Sequence, residues 1–363
     1  MQKDNPNPDG LTLVRTVDEA VDTKSFFFRH PVTGKIRFKP GQFINIGVQI
    51  DDKLHYRSYS ISSLPEDELI QLTIKRVEGG LVSNWMMDEL EVHDQISMHS
   101  VAGAFNIIDQ PPAEHIVFIS AGCGVTPVMS MAKYILSHKE TGVQSIQFIH
   151  CARNRENIIY HDEILSLEKD HPDFSAFFYL SAAPADQIAS SYRAGRLNGA
   201  FLHSHLKDIV TICSVYLCGP MEFMEMVKAE LREIHFDPAR LFYENFTFTC
   251  EVLPGLDASS AQETVEKGYG GSAYRVTAPD FGFDEEVEEG EILLDVLQNG
   301  GVPIIGACRV GLCGACKCKV ESGDVQLTTD PVASGILTQA DREEGYTLAC
   351  VSLIADDVQV SLK

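Results

Sequence analysis

The sequence predicts a chain of several domains: an antiparallel β-barrel, then an α/β domain on a parallel sheet, then a smaller cysteine-bearing domain. Three observations predict it. Short runs of β-branched and aromatic residues, split by turn dipeptides, fill the first third of the chain. A strand–helix alternation fills the second. A run of unevenly spaced cysteines marks the last quarter. The length of 363 residues agrees, since domains commonly run to about 150 residues.

The first block spans residues 8–110. Strands are expected at 25–29, 43–48, 56–62 and 69–77, separated by Pro40-Gly41, Asp51-Asp52 and Gly79-Gly80. Many short strands with frequent turns make a small barrel. The second block, 111–246, places strands at 115–120, 145–151, 174–180 and 215–218, with helices at 127–136 and 222–234 between them. That βαβ rhythm requires parallel strands with helices on both faces. Residues 247–272, weakly patterned and mixed in Ser, Gly, Glu and Pro, read as a linker to the third block, 273–363.

Composition narrows the function classes. An apolar fraction of 44% and a charged fraction of 22% are ordinary for packed domains and exclude wholesale disorder. A net charge of −23 argues against nucleic acid and anionic lipid, which need clustered Lys and Arg. The third block alone holds 16 acidic against 6 basic residues, a field that steers toward basic partners. No apolar run approaches the roughly 18 residues of a membrane span. The polar first ten residues lack the pattern of a secretory signal, so a cytoplasmic protein is expected. In that compartment the ten cysteines are expected as thiols or metal ligands.

Cys308, Cys313 and Cys316 stand in the spacing C-x4-C-x2-C, and Cys350 follows much later. This is the plant-type [2Fe–2S] arrangement, in which one loop supplies three thiolates and a distant segment the fourth. Gly306, Gly311 and Gly314 leave room for backbone N–H groups near the sulfurs. The competing readings, buried free thiols or a zinc site, fit less well, because zinc knuckles usually present two C-x2-C pairs. Cys318 falls outside the pattern and reads as a strand thiol. The whole third block resembles plant-type ferredoxin domains, with a strand pair at 274–277 and 285–287 and a helix at 293–298. The resemblance implies a β-grasp fold.

In the first block Arg57-Ser58-Tyr59-Ser60 is followed by Gly80-Leu81-Val82-Ser83. A guanidinium and backbone amides suit a pyrophosphate, and polar and aromatic groups suit a flavin ring. Either motif alone reads equally as a surface strand or a turn. In the second block Gly122, Gly124 and Thr126 lie in a loop after a strand, with Pro127 opening a helix. Such a loop presents free N–H groups to a dinucleotide's pyrophosphate. Cys218-Gly219-Pro220 ends another strand, and Glu244 and Phe246 close the block.

Together these motifs resemble the ferredoxin–NADP(+) reductase superfamily, with its R-x-Y-S, G-x-x-S and G-x-G-x-x-P elements. Pro40-Gly41-Gln42 and Gly103-Ala104-Phe105 match its barrel more weakly. The resemblance implies FAD held by Arg57, Tyr59, Ser60 and the 80–83 turn, with Tyr59 on the ring and Ser60 near its N5. It implies NADH or NADPH held by Gly122, Gly124, Thr126, Gly219 and Pro220. Cys218 would lie near the hydride-bearing carbon, and Glu244 and Phe246 close to the flavin. The catalytic set expected is Cys218, Ser60 and Glu244. Arg153 and Arg155 lie where the adenosine ribose is expected; they read as 2′-phosphate ligands or as solvated surface charges, with NADH favoured.

Hydride delivers two electrons and an iron–sulfur centre takes one, so a flavin must stand between them. An NAD(P)H oxidoreductase is therefore expected, passing electrons through FAD and the cluster to a protein acceptor. No G-x-S-x-G elbow or H-E-x-x-H helix offers a different chemistry. Within the superfamily the domain order resembles the reductases of hybrid-cluster proteins, which implies that acceptor. The alternative is a Rieske-type oxygenase with a betaine-like or aromatic substrate. A redox-sensing iron–sulfur protein without turnover is the remote third reading.

Overall fold

A computed structural model describes residues 10–30, 34–51, 53–182, 191–245, 273–306, 311, 314–328, 330–332 and 336–362. Among these residues the chain divides into two compact units, the first holding 10–55 and 59–245 and the second 56–58 and 273–362. The expected linker, 247–272, and Cys308, Cys313 and Phe246 lie outside the described residues.

The first unit opens with six strands: β1 (Gly10–Ala20), β2 (Thr23–Arg29), β3 (Phe43–Ile50), β4 (Lys53–Ser60), β5 (Ile70–Lys75) and β6 (Gln95–Ala102). Their order is β4-β3-β6-β1-β2-β5. An antiparallel bridge from Ile61 to Leu72 brings the end of β4 back to β5, which closes the sheet into a barrel. Alternation sends Leu11, Leu13, Phe26, Phe28, Ile44 and Ile46 inward. Helix α1 (Leu81–Asp88) corrects the turn expected at 80–83: Gly80 is its N-cap, and Val82 and Met86 are buried. The Gly79-Gly80 pair hid the helix start.

The nucleotide-type sheet follows: β7 (His115–Ala121), α2 (Val125–Ser137), β8 (Ser145–Ala152), α3 (His161–Asp170), β9 (Phe174–Leu180), β10 (Tyr192–Ala194), α4 (Gly199–Leu206), β11 (Cys213–Gly219), α5 (Met221–Glu233) and β12 (Leu241–Asn245). The order is β10-β9-β8-β7-β11-β12, every pairing parallel. Both faces are covered, so its strands are continuous apolar runs. Phe118, Phe148 and Tyr216 pack on one face with α2, and Ile119, Ile149 and Leu217 on the other with α4 and α5.

The second unit contains β13 (Ala273–Ala278), β14 (Phe283–Glu288), α6 (Leu293–Asn299), β15 (Lys317–Ser322), β16 (Val325–Leu327), α7 (Gln339–Glu343), β17 (Tyr346–Leu348), β18 (Ser352–Ile354) and β19 (Val358–Ser361). Its main sheet runs β14-β13-β19-β15-β17, with β13 and β19 parallel and the three other neighbouring pairs antiparallel. Helix α6 buries Leu293, Leu294, Val296 and Leu297 in the unit's core, giving the β-grasp arrangement. A Thr338–Asp341 capping box starts α7.

Candidate functional site

In the parallel sheet the chain goes outward in both directions from β7: β8 and β9 lie on one side, β11 and β12 on the other. Open α/β sheets bind ligands at the carboxyl ends of strands where the order reverses. Here that point lies between β7 and β11, and the loops that leave them carry Gly122–Gly124 and Gly219-Pro220. The two loops touch: a Cβ on Gly124 would stand 2.2 Å from the Cys218 carbonyl oxygen, and one on Gly219 would stand 3.2 Å from the Ala121 side chain. Gly122 differs. It has φ +53 and nothing within 4 Å of its Cβ position, so its freedom serves the turn and an open approach. Thr126 is buried and donates its hydroxyl to the Cys123 carbonyl oxygen at 2.9 Å. No side chain caps the N-terminus of α2, and the single helical turn Gly122–Gly124 runs directly into it, with the Val125 N–H donating back to that turn.

Cys218 lies beside Glu244 in the β11–β12 register and beside Ser120 in the β11–β7 register. Its thiol is fully buried, and burial first, then the neighbouring Glu244 and Cys123, push its pKa well up. The Glu244 carboxyl Oε2 is buried without a partner. Desolvation raises its pKa to about 8, so at neutral pH this group carries a proton.

Within the barrel, Arg57 and Tyr59 sit half-buried on β4, and Arg57 Nη1 donates to the Tyr56 carbonyl oxygen at 2.7 Å. Tyr59 packs against the barrel core. Ser60 is 6% exposed and its Oγ has no partner. A buried hydroxyl left unsatisfied is costly, and it is the group expected to meet a flavin nitrogen. Ser83 at the start of α1 accepts from the Val77 N–H at 3.3 Å, and a Cβ on Gly80 would stand 2.6 Å from the Ser83 hydroxyl. Leu81 is exposed and Val82 buried.

Arg153 and Arg155 are exposed on the loop after β8, with the Arg155 guanidinium 5.8 Å from the Tyr192 ring centroid. Two further residues carry no signal in the sequence. Asn154, between those arginines, has a buried Oδ1 without a partner. His150 is fully buried on β8 with Nδ1 2.9 Å from Ser120 Oγ, and desolvation lowers its pKa to about 3, so it is neutral. Nothing in the residue types alone marks either as special.

In the second unit Cys316 and Cys350 are buried, and the Gly311 N–H donates to Cys350 Sγ at 3.3 Å. Gly311 and Gly314 have φ +76 and +71, the turns that let backbone amides face a sulfur. Gly306 serves packing: a Cβ there would stand 2.7 Å from Leu294 of α6. Cys318 is fully buried, its thiol raised to about 12 by burial. Of the four cysteines expected to hold iron, Cys316 and Cys350 are described and are buried in one core, and the unpartnered Ser60 hydroxyl suits a flavin nitrogen.

The comparisons with known proteins agree block by block. Residues 10–107 match the oxidoreductase FAD-binding domain family, 118–229 the oxidoreductase NAD-binding domain family, and 279–355 the 2Fe-2S iron-sulfur cluster binding domain family. The chain is 33% identical over 353 residues to the glycine betaine monooxygenase reductase subunit of Pseudomonas aeruginosa, covering 96% of this chain and 94% of that protein. It is 28% identical over 314 residues to the NADH oxidoreductase HCR of Escherichia coli, covering 86% and 85%. Phthalate dioxygenase reductase shares the fold, with a TM-score of 0.62 at 19% identity over 97% of both chains. Among the described residues no helix is long and apolar enough to cross a membrane.

Proposed function

The chain belongs to the ferredoxin–NADP(+) reductase-like oxidoreductases that join FAD-binding, NAD-binding and 2Fe-2S domains, and from that premise we propose that its electron acceptor is the oxygenase component of a monooxygenase acting on a betaine-like substrate. The 33% identity to a glycine betaine monooxygenase reductase subunit, sustained over 96% of the chain, carries this choice of acceptor. The hybrid-cluster protein is the second reading, supported by 28% identity to the NADH oxidoreductase HCR.

Bound FAD supplies the conversion of a two-electron hydride into single electrons, and the [2Fe–2S] centre carries them one at a time. The chain's own residues do the rest. Arg57 and the α1 start at Gly80–Ser83 hold the flavin pyrophosphate. Tyr59 would pack on the ring, and the unpartnered Ser60 Oγ would hydrogen-bond near its N5. Gly122, Gly124 and Thr126 hold the nucleotide pyrophosphate, while Gly219 and Pro220 shape the wall beside Cys218. Cys218 excludes water from the nicotinamide side, and Glu244 keeps a proton at its carboxyl near neutral pH. Phe246 would lie close to the flavin in this reading. Cys308, Cys313, Cys316 and Cys350 would hold the iron of the cluster.

NADH is the favoured donor. The unpartnered Asn154 Oδ1 accepts from a ribose hydroxyl, whereas a 2′-phosphate has no proton to give it at neutral pH beyond its second ionisation. The acceptor is tested by anaerobic turnover with NADH, supplying the purified oxygenase component or a purified hybrid-cluster protein. Faster reduction of the hybrid-cluster protein overturns the oxygenase reading. Cys313→Ser should abolish transfer to either protein yet leave NADH-dependent ferricyanide reduction. Loss of both activities in a folded, flavin-loaded variant overturns the electron path.

A further inference from the structure

Tyr160 is a large residue in a conformation that large residues avoid. It caps α3 with φ 60 and ψ 27, the left-handed region, while only 2% exposed. For a residue with a Cβ that backbone is unfavourable and persists only where the surroundings dictate it. The surroundings here belong to the barrel. The Tyr160 phenol donates to Thr73 Oγ1 on β5 at 2.5 Å, fully buried.

The bond continues as a relay of hydroxyls. Thr73 Oγ1 lies 2.6 Å from Ser25 Oγ on β2, Gln71 Nε2 donates to Ser25 Oγ at 2.9 Å, and Ser25 Oγ donates to Glu19 Oε1 at 2.6 Å. Every donor has an acceptor when the hydroxyl protons run from Tyr160 toward Glu19. A second tie holds the same segment, since the Val21 N–H donates to the Glu156 carbonyl oxygen at 3.0 Å. Ile158 and Ile159 between them are buried.

The placement matters more than the strength. The segment 156–160 leaves directly from the Arg153–Asn154–Arg155 loop, where the adenosine end of the nucleotide is expected. The Tyr160 phenol also faces Ser62, two residues past Ser60, the last residue of β4. We propose that Tyr160 is a positioning residue: through Thr73 it fixes the nucleotide-binding sheet on the flavin-binding barrel so that the nicotinamide and flavin meet in register. The inference rests on the proposed hydride-transfer reading. Misplacement by about 1 Å can slow an oriented reaction by about a hundredfold, so a fixed seat has catalytic weight without contact to the reacting atoms.

The test uses the flavin-loaded full chain. Tyr160→Phe keeps the ring and removes the hydroxyl; Thr73→Val removes its acceptor, and Thr73→Ser restores one. Under saturating NADH, flavin bleaching should slow about tenfold in Tyr160→Phe and Thr73→Val, with KM for NADH within about twofold and flavin content unchanged. The double variant should be no slower than Tyr160→Phe, and Thr73→Ser should bleach near the wild-type rate. Without nucleotide, amide hydrogen exchange over 156–160 should rise in Tyr160→Phe and Thr73→Val alone. Unchanged bleaching and exchange in Tyr160→Phe overturn the proposal, as does a slow Tyr160→Phe beside a fast Thr73→Val. Should Tyr160→Phe fail to fold, the contrast between Thr73→Val and Thr73→Ser decides. A wild-type protein that neither NADH nor NADPH bleaches overturns the underlying reading instead.

Discussion

The main chain of Cys218 presses on the Cα of Gly124 so closely that a Cβ there would stand 2.2 Å from the Cys218 carbonyl oxygen and 2.7 Å from the Gly219 nitrogen. Backbone meets backbone, so no side chain can swing away. Gly124→Ala must therefore push β11 from β7 at the carboxyl edge of the sheet. The expected cost is about 1–3 kcal/mol of stability, with NADH binding weakened at least as much. Gly122→Ala meets nothing, and its left-handed φ costs only about 1 kcal/mol. Urea unfolding and NADH titration of both variants check the contrast; equal losses in the two would sink it.

Glu244 makes stability depend on pH with a definite sign. Burial raises its folded-state pKa from 4.5 to about 8, and its Oε2 has no partner to hold the charged form. The protonated carboxyl thus stabilises the fold fully below about pH 4.5. That contribution is lost as pH rises through about 8, at a slope of about 1.4 kcal/mol for each step of one in pH. Glu244→Gln keeps the shape without the proton. It should flatten the decline in unfolding free energy between about pH 5 and pH 8. A decline as steep as wild type in that window rules out Glu244 as its source.

How much of this was legible depends on what enforces each feature. The cysteine spacing is enforced by ligand chemistry, so Cys308, Cys313, Cys316 and Cys350 stand out in the sequence. Strand 174–180 is a continuous apolar run because both faces are covered, and its bounds match β9. Strands of three residues, such as β16 and β18, are too short to show alternation. The Cys218–Glu244 pairing belongs to register between β11 and β12, which no local pattern encodes. Tyr160 looks like any aromatic at a helix start; its left-handed backbone follows from tertiary packing.

Arg57 and Ser60 share β4 but should fail differently. Arg57→Ala removes the only cation of that four-residue motif, losing charge-assisted phosphate bonds worth about 1.5–3 kcal/mol each. FAD should wash out on gel filtration, with affinity down at least tenfold. Ser60→Ala deletes a buried hydroxyl that the protein itself does not satisfy. It should retain the flavin and leave the unloaded fold no less stable, while NADH-driven bleaching slows about tenfold or more. Retained FAD in Arg57→Ala, judged by the absorbance ratio of the purified protein, contradicts the pyrophosphate assignment.

Cys318 and Cys350 are both buried within the same core, yet their sulfurs meet different surroundings. Cys350 receives the Gly311 N–H on its sulfur at 3.3 Å, the kind of bond that stabilises a thiolate. Cys318 faces desolvation that holds its thiol protonated up to about 12, on a strand paired with β17. Cys350→Ser should therefore lose bound iron and the visible absorption of the cluster, along with transfer to a protein acceptor. Cys318→Ala should keep iron near the wild-type ratio and lose about 1 kcal/mol or more of stability from the vacated space. Iron analysis beside thermal unfolding separates the two, and a cluster lost from Cys318→Ala with a normal melting curve would make Cys318 a ligand after all.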